Sequence, residues 1–250
     1  MTDQTINNTD LFNCPKCNHA QAKETIECKK CGIIFSKFNP ALNLKPVQDT
    51  SESLFSLKDL LFYTPAENNL VILYSRLAVL VVLILWGIKF IASPIQDNYA
   101  GHSFMHLVNL PFHEAGHILF RPFGEFITSL GGTLGQLIMP LICFCVFLVK
   151  TRDTFGACVT LWWFGQNFFD IAPYVNDARS LTMPLVGGNF GHSSPYGFHD
   201  WEYLLTESGL LQYDHSIAKL CVVIGTVLFL LSFAWGAFLL FKQFKNRMTK

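Results

Sequence analysis

The sequence predicts a mainly α fold: a polytopic membrane helix bundle of four spans plus one short or re-entrant helix, preceded by a small cysteine-bound N-terminal module. Three observations predict it. Hydrophobic residues fill 51% of the 250 positions and charged residues only 14%, a balance too apolar for a water-soluble domain of this size. Long apolar runs recur from residue 70 onward with basic residues at their edges. Four of the eight cysteines fall into two C-x-x-C pairs near the start of the chain.

Those pairs are Cys14-Pro-Lys-Cys17 and Cys28-Lys-Lys-Cys31-Gly32. Each tight turn offers two thiolates, and the spacing suits one tetrahedral zinc, so residues 1–38 read as a structural zinc ribbon. Gly32 permits the turn that aims backbone amides at the sulfurs. A pair of disulfides is the rival reading. It is disfavoured because "MTDQTINNTD" lacks a basic stretch followed by an apolar core, the mark of a secretory leader, which also places the N-terminus in the cytoplasm. A site closed by four cysteines keeps no position for substrate, so its zinc is structural. Lys16, Lys23, Lys29 and Lys30 read as a solvated face, and the ribbon is a candidate surface for a protein partner. Basic and acidic residues balance at 18 each, which argues against nucleic acid as a partner.

Residues 39–69 follow as a linker and an interfacial helix. "FNPALNLKPVQDTSES" is polar, punctuated by proline and without apolar period over 39–53. "LFSLKDLLFYTP" predicts a short amphipathic helix on the membrane surface, ended by Pro65. The membrane-embedded domain, 70–250, opens with the clearest span, 70–91, nearly uniform in Leu, Val and Ile. The segment 104–120 is shorter and polar in places, a poor span by itself. Runs at 131–149, 154–171 and 217–241 supply the remaining spans. Lys150, Arg152 and the basic tail "KQFKNRMTK" should face the cytoplasm. That holds if 70–91 crosses outward, 104–120 dips in without crossing, and the later runs cross in, out and in. The protein is then an integral protein of the cytoplasmic (inner) membrane, with the loop 173–214 outside.

Within the short segment stands "NLPFHEAGHILF", residues 109–120. In a helix His113 and His117 are four residues apart and share a face, so both imidazoles reach one metal ion. Glu114 beside them is the general base of the H-E-x-x-H arrangement, taking a proton from the attacking water and handing it to the leaving amine. Two histidines do not complete a catalytic zinc site, which takes a third protein ligand and keeps one open position. Asp170 and Asp177, in "FGQNFFDIAPYVNDARSL", are the leading candidates for that ligand, and the sequence leaves the choice between them open. His192, His199 and Asp200, in "GHSSPYGFHDW", rank behind them. His106 lies near the face of His113 but reads as a packed polar residue. Cys143, Cys145, Cys158 and Cys221 lie in apolar runs and read as small hydrophobes.

With these motifs the middle third of the chain resembles the site-2 family of intramembrane zinc metalloproteases. The matching parts are His113, Glu114 and His117; then Gly131, Gly132 and Gly135; then Asn167, Pro173 and Asp177 followed by Ala178. The resemblance implies an endopeptidase that cleaves membrane proteins in or near the lipid bilayer, with one catalytic and one structural zinc. It also implies an aspartate ligand from a later helix and a catalytic role for Asn167, on the substrate strand or the oxyanion. The family's usual L-D-G is "NDA" here, and the ribbon is an addition the resemblance does not explain. The alternative is a non-proteolytic zinc-binding membrane protein that recruits a partner through its ribbon.

Overall fold

The computed structural model describes residues 11–22, 25–38, 56–64 and 69–248. The chain divides into two compact units, 1–54 and 55–250, and the expected linker at 39–53 lies outside the described residues.

The first unit is built on an antiparallel hairpin, β1 (Leu11–Asn13) paired with β2 (Ala20–Ala22). Its two cysteine turns repeat one hydrogen-bond pattern. The Asn18 and Gly32 N–H groups donate back to the Cys14 and Cys28 carbonyls, while the Cys14 and Cys28 N–H groups donate forward to the His19 and Ile33 carbonyls. Both closing residues lie in the left-handed region, Asn18 at φ 56° and Gly32 at φ 69°, which is why the sequence places asparagine and glycine there. Gln21 ties the turns together, donating to the Glu27 carbonyl and accepting from Lys29 N–H, both at 3.0 Å. Phe12 and Phe35 meet edge-on at 5.2 Å. A module of this size has too little core to stand on packing alone and needs a crosslink or a metal.

The second unit is helical. In chain order it comprises α1 (Leu57–Leu61), α2 (Leu70–Ala92), α3 (Phe104–Phe120), α4 (Glu125–Cys145, prolonged by a π turn over Val146–Lys150), α5 (Thr154–Asn176), α6 (Asp200–Glu207) and α7 (Asp214–Met248). The helix expected between 54 and 65 is present as the short α1, while Pro65 lies outside the described residues.

Among the described residues three helical stretches are long and apolar enough to cross a membrane: Leu70–Ala92, Glu125–Lys150 and Leu211–Met248. Each leaves much of its apolar surface open, for example Val71, Val82 and Leu85 on α2 and Val223, Val227 and Phe241 on α7, a pattern suited to lipid rather than water. Helix α5, expected as a further span, is of a different kind. It runs through the centre, and Phe155, Trp162, Phe169 and Val175 are buried on it together with Gln166, Asn167 and Asp170. Protein rather than lipid surrounds those polar groups, so its sequence can be less uniformly apolar. Helix α3 has 17 residues, about 26 Å of length, short of the roughly 30 Å hydrocarbon thickness.

Two close approaches set the packing. Between α5 and α7, Trp162 stacks on Phe229 at 5.0 Å and Phe229 on Phe169 at 5.0 Å, and Gly165 and Gly225 let the backbones meet. Between α3 and α4 the contact is backbone on backbone. A Cβ at Gly116 would run into the Gly131 carbonyl oxygen, and one at Gly135 into the Phe112 carbonyl oxygen. One end of the bundle gathers basic residues. Arg76 of α2 pairs with Asp153 at 3.0 Å, Lys242 of α7 donates to the Phe62 carbonyl at 2.6 Å, and Thr154 donates to the Tyr63 carbonyl at 2.7 Å. The start of α2, the turn holding Lys150 and Arg152, and the end of α7 therefore share that end.

Gly116→Ala should destabilise the bundle by about 1–3 kcal/mol or prevent folding, because neither backbone can yield. Ile142→Ala, at an open position of α4, should change stability by less than about 0.5 kcal/mol. Thermal unfolding of the two variants in detergent checks this difference.

Candidate metal centre and cavity

Helix α3 carries His106, Asn109, His113 and His117 along one stripe, at spacings of three, four and four residues. The lower half of the stripe meets α5. Asn109, 1% exposed, donates from Nδ2 to Gln166 Oε1 at 2.8 Å and to Asp170 Oδ2 at 3.0 Å, and accepts the Trp163 indole N–H at 2.9 Å. Asp170 Oδ1 binds His106 Nδ1 at 2.9 Å. These bonds fix the rotation of α3 about its own axis.

The upper half of the stripe meets α4 and α6. His117 Nδ1 lies 2.8 Å from the Thr128 carbonyl oxygen and His113 Nδ1 lies 2.9 Å from Gln136 Oε1. A carbonyl only accepts, so each Nδ1 carries a proton, and Nε2 is the ring atom left to face a metal ion. Both Nε2 atoms point to the same place. Asp200 Oδ2 lies 3.1 Å from His113 Nε2 and 3.3 Å from His117 Nε2. Around a tetrahedral zinc with bonds of about 2.0–2.1 Å, neighbouring ligand atoms stand about 3.3 Å apart. The three side chains therefore fit the group that the sequence motif calls for, and they qualify as a set able to hold a metal ion. A Cβ at Gly132 would lie 2.5 Å from both Nε2 atoms, so a glycine there keeps open the space beside them.

The carboxylate expected from the end of α5 is thus not the one beside the two histidines; the one that stands there, Asp200, belongs to α6. Asp170 is committed to His106 and Asn109, as above. Asp177 accepts from Ser180 Oγ, Thr182 N–H, Thr182 Oγ1 and Met183 N–H, all within 3.0 Å. These donors and His199 outweigh burial, which pushes the carboxyl up, and hold Asp177 well below the usual carboxylate range. Neither aspartate joins the two histidines. Asp177 still bears on the site at one remove. His199 is fully buried, its Nε2 is 3.5 Å from Asp177 Oδ2, and its Nδ1 caps α6 by accepting Glu202 N–H at 3.1 Å. Asp200 is the next residue. Its Oδ1 accepts from Ser129 Oγ at 3.1 Å, leaving Oδ2 for the imidazoles. Burial pushes the Asp200 carboxyl up, and His113 and His117 outweigh it and hold it down.

The trio opens into a cavity of about 500 Å³, lined also by Glu114, Thr133, Tyr174 and Trp201. Glu114 is exposed to it. Thr133 Oγ1 and Trp201 Nε1 are buried without a hydrogen-bond partner among the described residues. Asn167, expected as a catalytic residue, is fully buried and does not line the cavity; its amide donates to the Trp163 carbonyl within its own helix at 3.0 Å. His192 bonds the Leu181 carbonyl and is likewise away from the trio.

In the N-terminal unit Cys14, Cys17, Cys28 and Cys31 form a cluster able to hold a metal ion. The Cys14–Cys31 and Cys17–Cys28 sulfurs are 3.7 and 3.6 Å apart, close to the roughly 3.8 Å edge of a tetrahedron with zinc–sulfur bonds of about 2.3 Å. Burial pushes the Cys28 thiol up, but the Cys31 and Lys30 amides and the neighbouring sulfurs bring it down to about 6, while Cys17 of the same cluster is pushed up to about 12.

Asp200 stood behind two other aspartates in the sequence because it ends a long loop, where no periodicity reports position. The available signal was His199-Asp200 at the start of a short amphipathic stretch, where a cap and a first-turn carboxylate belong. No protein-family model, curated protein sequence or solved structure matches the chain. The likeness to site-2 proteases rests on the motif residues themselves.

Metal analysis of the purified protein checks both clusters. Two zinc ions per chain are expected, falling to one in His117→Ala, in Asp200→Ala and in a variant with all four ribbon cysteines replaced by serine. Gly132→Val should also lose the ion of the histidine site, whereas Asp170→Asn should keep both.

Proposed function

We propose that the protein is a membrane-embedded zinc endopeptidase of the site-2 type, acting on membrane-protein substrates. The observation that carries this reading is the convergence of His113 Nε2, His117 Nε2 and Asp200 Oδ2, at tetrahedral spacings, on a cavity that Glu114 also lines. Zinc is the metal proposed for both clusters, structural among the four cysteines and catalytic at the histidines. When bound at the histidines, zinc supplies a Lewis acid that polarises a carbonyl and brings water to reactivity near neutral pH.

The protein's own groups do the rest. Gln136 and the Thr128 carbonyl keep both imidazoles in the tautomer that offers Nε2. Ser129 keeps Asp200 turned so that only Oδ2 is shared. Glu114 accepts a proton as the water oxygen bonds to the scissile carbonyl carbon, and returns it to the amine as the carbon–nitrogen bond breaks. Thr133 and Trp201 present donors to an extended substrate segment that supplies the acceptors they lack.

In this reading α5 is the fourth span, sheathed by protein, and α3 is the short helix that does not cross fully. The basic end faces the cytoplasm, as does the N-terminal ribbon. Thr154 begins α5 at that end, and Tyr174 lies about 30 Å further along the helix. The catalytic cavity therefore opens toward the opposite face of the membrane, where a substrate segment leaves its lipid environment.

Glu114→Gln tests the assignment. The variant should keep both metal ions and its fold while cleavage of a co-reconstituted library of single-span reporter proteins falls by about 10²–10⁴-fold. Cleavage at the wild-type rate would overturn the proposal.

A further inference from the structure

The bundle carries a second group beside the histidine site whose chemistry is unspent. Tyr174 stands in the last turn of α5 and lines the same cavity as Glu114 and Asp200. Its hydroxyl oxygen accepts Asp200 N–H at 3.2 Å. A phenol both accepts and donates, so this bond leaves the O–H hydrogen available, within the cavity. The ring is held on two sides. It packs against the buried His199 ring at 4.1 Å and faces His113 at 6.4 Å. The hydroxyl is thus anchored to the backbone of the residue that reaches the two Nε2 atoms, on a side chain that lines the cavity.

We propose that Tyr174 is the oxyanion donor of this site: its O–H hydrogen-bonds the carbonyl oxygen of the scissile peptide as negative charge develops there. The assignment rests on the peptidase reading given above. Hydrolysis by a general base needs such a donor, because proton removal by Glu114 compensates the attacking water and leaves the substrate oxygen charged. Asn167 cannot serve, being buried within α5 and absent from the cavity wall. Tyr174 lies seven residues on, two turns along α5 toward the metal site, and is anchored before substrate arrives. No proton is transferred to or from the phenol. It donates one hydrogen bond that is stronger to the tetrahedral species than to the ground-state carbonyl, so it contributes to turnover rather than to substrate affinity.

The same donor should favour any tetrahedral oxyanion at the site, which gives a readout that does not need peptidase activity. The experiment uses the full chain in detergent with Co²⁺ in place of zinc, and methylphosphonate as probe, followed by the visible bands of the histidine-site cobalt. Tyr174→Phe, which removes the oxygen alone, should keep both metal ions and weaken methylphosphonate binding by about 10-fold or more. In the zinc protein it should lower kcat on the single-span reporters by about 10²–10³-fold with KM within about 3-fold. Equal methylphosphonate affinity in variant and wild type would overturn the proposal. So would loss of the histidine-site metal in Tyr174→Phe, since the hydroxyl would then act by positioning Asp200. A loss of probe binding in Trp201→Phe but not in Tyr174→Phe would assign the role to the indole and also overturn it. If the wild type cleaves no reporter yet binds the probe through Tyr174, the peptidase reading fails and the oxyanion site stands.

Discussion

The site depends on the backbone contact between α3 and α4. Glycines at 116, 131 and 135 bring the two helices together until carbonyl oxygens lie where a Cβ would be. Only at that separation can the Thr128 carbonyl and Gln136 reach the Nδ1 atoms of His117 and His113. Helix packing in lipid lacks a hydrophobic drive between helices and relies on close van der Waals contact and polar bonds between them. Here both are present in the same few turns. Gly132 has a separate role: it faces the Nε2 atoms, so it leaves space where its neighbours create contact. A run of glycines that reads as one motif therefore divides into packing positions and one that leaves room beside the two imidazoles.

The third candidate ligand arrives by a different route, at the first residue of the short α6 that ends a long loop. Residues 177–199 are folded around Asp177, which gathers four donors from 180–183 and faces His199 across 3.5 Å. His199 in turn caps α6, so the position of Asp200 is set by a carboxylate more than twenty residues earlier in the chain. Support of this kind keeps a carboxylate at the head of a short helix as well placed as one inside a longer helix. Arg179 adds to it by pairing with the buried Asp214 at 2.6 Å, tying the start of the loop to the start of α7. An aspartate that resembles a ligand in sequence thus serves the ligand in space.

How far the sequence could be read follows from these distances along the chain. The two cysteine turns and the histidine pair were legible because each is local: a knuckle closes within five residues and an H-E-x-x-H pair within one turn. The apolar runs at 70–91, 131–149 and 217–241 were legible because lipid demands length and uniformity. Asp200 was only ranked behind Asp170 and Asp177, since all three are carboxylates near prolines or glycines and only the tertiary path distinguishes them. Asn167 illustrates the opposite case. Its motif suggested chemistry, yet a one-residue change of face on α5 separates Asn167 from Gln166 and Asp170, which share Asn109 as partner, and periodicity cannot say which face the cavity occupies.

The polar ladder between α3 and α5 explains why a bundle this apolar tolerates such groups. Unpaired, an amide or carboxyl at this depth would cost several kcal/mol. Asn109 instead links Trp163, Gln166 and Asp170 in one cluster, and Asp170 passes on to His106. Because those bonds have a single geometry, they select one rotation of α3 out of those that would bury its apolar residues equally well. Leu107, Ile118 and Leu119 are thereby turned outward, where they are exposed, and His113 and His117 inward. The two candidate metal ligands occupy the upper half of a stripe whose lower half sets their direction, so the helix is oriented by one set of polar residues for the use of another.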